Sequence, residues 1–136
     1  MRHQAGFTLV EALVVLVIIG LLALLVAPNL IGRLGQAKGD AAQAQIGTLV
    51  SAIDLFYIDM GRYPTKEEGL DALLAAPGDD PRWRGPYLRK RQALIDPWGE
   101  RFNYRIPGQH GAYDLYSNGS DKAPGGEGDA RDLVSW

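Results

Sequence analysis

The stretch GFTLVEALVVLVIIGLLALLVAP, Gly6 to Pro28, contains one ionisable side chain, Glu11. From Phe7 to Ala27 it runs for twenty-one residues, enough for a helix of about 31 Å that crosses a bilayer. A secretory signal would have a shorter apolar core and a small-residue cleavage site after it. This run is too long for that, and no A-x-A site follows. Arg2 and His3 precede the run, whereas Arg33, Lys38 and Asp40 beyond it carry no strong positive excess. A cytoplasmic N-terminus is the favoured orientation. A signal anchor would account for the whole run except Glu11.

An ionised, unpaired carboxylate in the apolar layer costs on the order of 3 kcal/mol on insertion scales, so a charge placed there needs a partner. No Lys or Arg lies within the run. If the chain were cut after Gly6, Phe7 would carry a free α-ammonium one helical turn from Glu11. Their attraction would be about 4 kcal/mol at an effective dielectric of 20, roughly offsetting the desolvation. Pairs of this kind contribute more to register than to stability, because breaking one leaves a charge alone in apolar packing. Glu11 therefore points to neighbouring copies that must be aligned.

The chain has 136 residues, so about a hundred remain beyond the apolar run, enough for one small domain. A formal charge of -2 leaves no electrostatic footprint for nucleic acid. The absence of cysteine removes disulfides, thiolate chemistry and Cys-ligated zinc, so an exported domain of this size needs another staple, such as an oxygen-ligated metal or an oligomer. The two histidines, His3 and His110, fall in the N-terminal segment and in a turn, and no carboxylate pair stands in a setting that would raise a pKa. No enzymatic activity is expected.

Beyond Asn29 the helical period continues. Ala42, Ile46, Leu49, Ile53, Phe56 and Met60 recur in steps of four and three, a narrow stripe for a core to cover. Gly61 ends the helix and Tyr63-Pro64 enforces the break. Pro28, Gly32, Gly35 and Gly39 are weak helix formers, so the helix can loosen between its two halves. Thr65 to Glu68 reads as a capping box opening a short helix over EEGLDALLAA, closed by Pro77-Gly78. Arg82, Arg84, Arg89, Lys90 and Arg91 gather around Trp83 and Tyr87. With acidic neighbours and no glycine-rich loop, they fit a solvated face or an intersubunit contact better than a phosphate site. RFNYRI and AYDLYS alternate as strands, joined by the turn PGQHG into a hairpin with one face on the long helix.

The N-terminal string resembles the signature of type IV pilin-like proteins: a short leader ending in glycine, a phenylalanine next, a glutamate four residues on, and a proline after the apolar run. The resemblance implies that a prepilin peptidase cuts between Gly6 and Phe7 and methylates the new amino group of Phe7, leaving Glu11 to act in assembly. GRYPTKEEGLDALL, DPWGERFNYR and YDLYSNGSDKAPGGEGDARDLVSW resemble the middle and C-terminal parts of the major pseudopilins of type II secretion systems. The implied fold is α+β and pilin-like: a long N-terminal helix on a small antiparallel sheet with a C-terminal metal-binding loop. The implied organisation is residues 1–6 as leader, 7–27 as transmembrane and polymerisation helix, and 28–136 as a periplasmic domain. A homopolymer in the periplasm is implied, with minor pseudopilins and an inner-membrane assembly platform as partners and membrane lipid around the helix before assembly. Two alternatives stay open. Type IV pilus subunits more often end in a disulfide-bounded loop, which a cysteine-free chain lacks, and a monomeric anchored calcium module would not need Gly6 or Glu11.

Asp121, Glu127, Asp129 and Asp132 crowd one glycine-rich loop that offers hard oxygen ligands of the sort Ca²⁺ takes. By residue type alone a solvated acidic turn is favoured, and the EF-hand pattern is absent. The family resemblance reverses that preference and implies Ca²⁺ held by two aspartates seven residues apart and by backbone carbonyls. Asp121 fits the first aspartate, with Asn118 and Gly126 as carbonyl donors. Gly128 occupies the place of the second, flanked by Glu127 and Asp129, of which Asp129, the shorter, is the more similar ligand.

Overall fold

The computed structural model describes residues 7–136; the expected leader with Gly6 lies outside the described residues. One helix, α1, runs Leu9–Met60, and three short strands follow: β1 Asn103–Arg105, β2 Asp114–Ser117 and β3 Leu133–Val134. The chain divides into two units, Met1–Gly35 and Gln36–Trp136.

In the first unit α1 is long and apolar enough to cross a membrane, and none of its most apolar window is buried. Leu9, Leu16, Leu24 and Leu25 are each more than two-thirds exposed. Such a surface is not stable in water by itself and needs lipid or protein over it. Residues 28–39 stay helical in the single subunit.

In the second unit the expected stripe forms the core. Ala42, Ile46, Leu49, Ile53, Phe56 and Met60 are all buried, joined by Ala52. Leu70, Leu73, Leu88, Leu94, Phe102, Leu115 and Leu133 complete the cluster. Gly61 takes a left-handed φ of 70°, which ends α1 as its residue type demands. The capping box at Thr65 is present: Thr65 N–H donates to Glu68 Oε2 at 2.9 Å and Glu68 N–H to Thr65 Oγ1 at 3.3 Å. The short helix after it differs from expectation. Gly69 adopts a φ of 56° directly behind the cap, so the segment is a turn followed by a 3-10 helix over Gly69–Leu73.

The hairpin pairs Asn103 with Tyr116 and Arg105 with Asp114, antiparallel, and β3 adds to the far edge of β2. Leu115 points from β2 into the core. The buried carboxylate of Asp114 anchors the connecting turn, accepting from the Gln109 and His110 N–H groups at 2.8 and 3.0 Å. Burial by itself would raise its pKa, but those two N–H groups and then the His110 imidazole outweigh it and hold the carboxyl below its ordinary range. In the basic segment the aromatics turn inward: Trp83 Nε1 donates to the Ala72 carbonyl and Tyr87 O–H to Asp59. The charged heads of Arg82, Arg84, Arg89, Lys90 and Arg91 stay exposed, Arg82 pairing with Asp80 and Arg91 with Asp71. In the single subunit this face is open to solvent, which leaves both readings of it, a solvated face or an intersubunit contact, in place.

Phe56 lies at the centre of this core with no exposed surface. Phe56→Ala should destabilise the domain by about 3–5 kcal/mol, because the cavity it leaves cannot collapse between α1 and the loops. Urea unfolding of the full chain in detergent, followed by circular dichroism, checks this.

Candidate functional site

Two regions carry chemistry, and the first is the start of α1. Thr8 precedes the helix, and its Oγ1 accepts the Glu11 N–H at 3.2 Å. That is an N-terminal cap, with Thr8 at the capping position and Glu11 three residues on. The cap was legible as T-x-x-E, and reading Glu11 only as a charge in an apolar run passed over it. It fixes Glu11 in the first helical turn, where the free N–H groups and the helix dipole favour a negative side chain. Phe7 is exposed just ahead of the cap. Phe7 and Glu11 thus lie at one end of the apolar helix, and Gly6 falls outside the described residues.

The second region is the loop from Asn118 to Asp132, whose start is set from the turn DPWGE. Asp96 is buried and accepts N–H groups from Trp98 and Glu100 at 3.0 and 2.9 Å. Its other oxygen takes the Ser117 hydroxyl at 2.5 Å, and Ser117 Oγ in turn accepts the Gly119 N–H at 3.2 Å. Asp96 therefore holds the end of β2 and the first residues of the loop together. Asp-Pro-x-Gly is a turn signature, yet nothing in the sequence announces that the turn's aspartate reaches Ser117. Lys122 reaches back to Glu100 at 2.7 Å, and that carboxylate raises the ammonium pKa. A cavity of 80 Å³ is left between Asp96, Glu100, Asn103, Asn118, Gly119 and Lys122.

Within the loop the expected ligands fall into two groups. Asp121 sits in a 3-10 turn over Gly119–Asp121, exposed, with one oxygen accepting the Ala123 N–H at 3.1 Å. Glu127 and Asp129, the two substitutes for the missing aspartate, are exposed, and among the described residues neither carboxylate takes a hydrogen bond or an ion pair. Asn118 is partly buried, whereas Gly126 is exposed. Asn118 Oδ1 is shut off from solvent and has no donor, and the same holds for Asp132 Oδ1. An orphaned buried acceptor costs roughly 1–3 kcal/mol, more when charged, so each calls for a partner. Gly126 has φ 90°, and a Cβ there would stand 2.4 Å from the Ala130 carbonyl oxygen. At Gly119 a Cβ would stand 2.6 Å from the Arg131 oxygen and 3.1 Å from that of Ala130. Glycine at both places lets the two ends of the loop close on a pair of carbonyls.

Among the described residues no three of His, Cys, Asp and Glu gather as a metal group. The loop does hold oxygens of another kind that lack donors: the side-chain amide oxygen of Asn118 and one carboxylate oxygen of Asp132. Hard oxygen donors of this mixture suit Ca²⁺, which accepts carbonyls and amides alongside carboxylates. By donor type, and not by any gathered set of carboxylates, the loop is compatible with the ion that the resemblance implies.

Residues 29–136 match the family model described as Type II secretion system (T2SS), protein G, and residues 1–27 match the Prokaryotic N-terminal methylation motif. The type II secretion system core protein G of Pseudomonas aeruginosa is 40% identical, over 99% of this chain and 96% of its own length. That of Vibrio cholerae serotype O1 is also 40% identical, over 100% and 94%. The crystal structure of the major pseudopilin from the type 2 secretion system of enterohaemorrhagic Escherichia coli superposes with a TM-score of 0.62 at 33% identity, covering 80% of this chain and 95% of that one. The methylation motif, the long helix on a three-stranded sheet and these relatives agree, and the chain belongs to the protein G family of type II secretion, the major pseudopilins.

Proposed function

We propose that the chain is the structural subunit of a type II secretion pseudopilus, polymerising through its N-terminal helix into a periplasmic filament that drives export of folded proteins across the outer membrane. The observation that carries this reading is the apolar half of α1, exposed throughout and lying within the stretch that matches the methylation motif. The helix lies in the inner membrane before assembly, N-terminus in the cytoplasm, with residues 28–136 in the periplasm. Lipid covers it there, and neighbouring copies cover it in the filament. Prepilin peptidase cuts between Gly6 and Phe7 and methylates Phe7. Glu11, held in the first turn by the Thr8 cap, pairs with the Phe7 amine of an adjoining copy. Minor pseudopilins and an inner-membrane platform take part in assembly. Ca²⁺ staples the C-terminal loop of this cysteine-free domain, through Asp121 with the oxygens around Asn118 and Gly126; the donorless oxygens and the glycine cradle support that reading.

Mass spectrometry of the membrane fraction tests the processing. A mature terminus at methylated Phe7 is expected, and an intact Met1 on all of the protein would refute it. Assembly is tested by Glu11→Leu, which should insert into the membrane at least as well as the parent chain, since it removes about 3 kcal/mol of insertion cost, yet abolish filaments and secretion. Filaments of the variant at parental yield would show that Glu11 does not set the register.

A further inference from the structure

We infer that the acidic tip of the C-terminal loop, Glu127 and Asp129, docks on a second copy of the chain, in a cleft on the outer face of the hairpin whose cations are Lys66 and Arg105. The inference rests on the filament reading above and names one contact between its copies. The cleft holds about 400 Å³ and is lined in part by Lys66, Asn103, Arg105, Ile106, Pro107 and Tyr116. Asn103 and Tyr116 pair across β1 and β2, and Arg105 lies two residues along on the same face. Leu115, between Asp114 and Tyr116, points the other way into the core. Lys66 and Arg105 are exposed, and among the described residues neither reaches a carboxylate. The cations nearest to them in sequence are both paired, Arg62 with Glu68 and Arg101 with Asp71, at 2.7 Å each. Asp114 stands opposite Arg105 in the register, but it is buried and already accepts the Gln109 and His110 N–H groups. The two charges of the cleft are thus left for a group from outside this copy.

The loop tip carries the complementary charge. Glu127 and Asp129 flank Gly128, both exposed, and the calcium reading uses neither. The other close pairs of acidic residues, Glu67-Glu68 and Asp79-Asp80, each have one member held by an arginine. Among the described residues only the tip therefore offers two free carboxylates so near each other. Its backbone is fixed in advance: the Ala130 N–H donates to the Glu127 carbonyl at 3.0 Å and the Arg131 N–H to that of Gly128 at 3.3 Å, closing the 3-10 turn over Gly128–Ala130. A tip already ordered loses little freedom on docking. In the cleft, the Arg105 guanidinium can take a carboxylate through two parallel N–H bonds, and Tyr116 supplies an aromatic surface of the kind enriched in interfaces. Exposed ion pairs add little affinity singly, so the apolar helix holds the copies together and these charges select which faces meet. Tip and cleft are different patches of one chain. A contact between them is head-to-tail, and where its rotation does not close into a ring, its repetition extends an open helical filament.

A chain without cysteine makes cross-linking site-specific. The full chain carrying both Arg105→Cys and Asp129→Cys is expressed with a type II secretion apparatus, and sheared filaments are mildly oxidised and run on a non-reducing gel. Dimers, trimers and longer multiples of this chain are expected, because each copy joins the next through tip and cleft, whereas either single variant should give dimers at most. Lys66→Glu together with Arg105→Glu should be processed and melt like the parent, since both side chains are exposed, yet lose about tenfold or more of the filament yield through like-charge repulsion. Adding Glu127→Lys and Asp129→Lys to that variant should restore the yield. The inference falls if intact filaments give no ladder, if the cysteines join within one copy or to a different protein, if the reversed cleft assembles at the parental yield, or if the fourfold exchange fails to restore it. A parent chain that forms no filaments would instead overturn the filament reading, and this inference with it.

Discussion

An apolar helix that its own chain leaves bare sets the terms for the rest of this protein. The residues from Leu9 to Val26 are all exposed, and covering a single leucine is worth about 1.5–3 kcal/mol. Such a helix must sit in lipid or against copies of itself. Glu11 keeps the two environments from being equivalent. In lipid the carboxylate lacks a partner; on the proposed reading another copy's Phe7 amine provides one, so that burial would supply the affinity and the charge the alignment.

The unit from Gln36 to Trp136 has a buried core of its own. Its core runs along one narrow stripe of α1 and is closed by Leu115 of β2, Leu133 of β3 and the leucines of the connecting segments. No disulfide holds it together. The last fifteen residues contribute only Leu133 to the buried apolar cluster, so the loop leading to β3 depends on polar contacts. Asp96, Ser117 and the Asp132 carboxylate hold it from the protein side.

Much of the fold was legible because it is periodic. The stripe from Ala42 to Met60 followed from spacing alone, and Gly61 followed from the conformation a helix end demands. The Thr65 cap was legible too, but the helix expected after it gave way to a 3-10 turn, because Gly69 takes a left-handed conformation that a pattern of apolar residues does not reveal. β3 is two residues long and pairs only at long range, too short for any alternation to show. The loop was the least legible region. Its acidic composition was plain, but how the loop closes depends on Gly119 and Gly126 meeting the Ala130 carbonyl across it, a contact between residues up to eleven apart that no local pattern encodes.

Negative-stain electron microscopy of material sheared from cells that overproduce the chain together with a type II secretion apparatus tests the central claim most directly. The account predicts thin helical filaments that contain this chain. Protein that is abundant and processed but stays dispersed in the membrane, with no filaments, would contradict it.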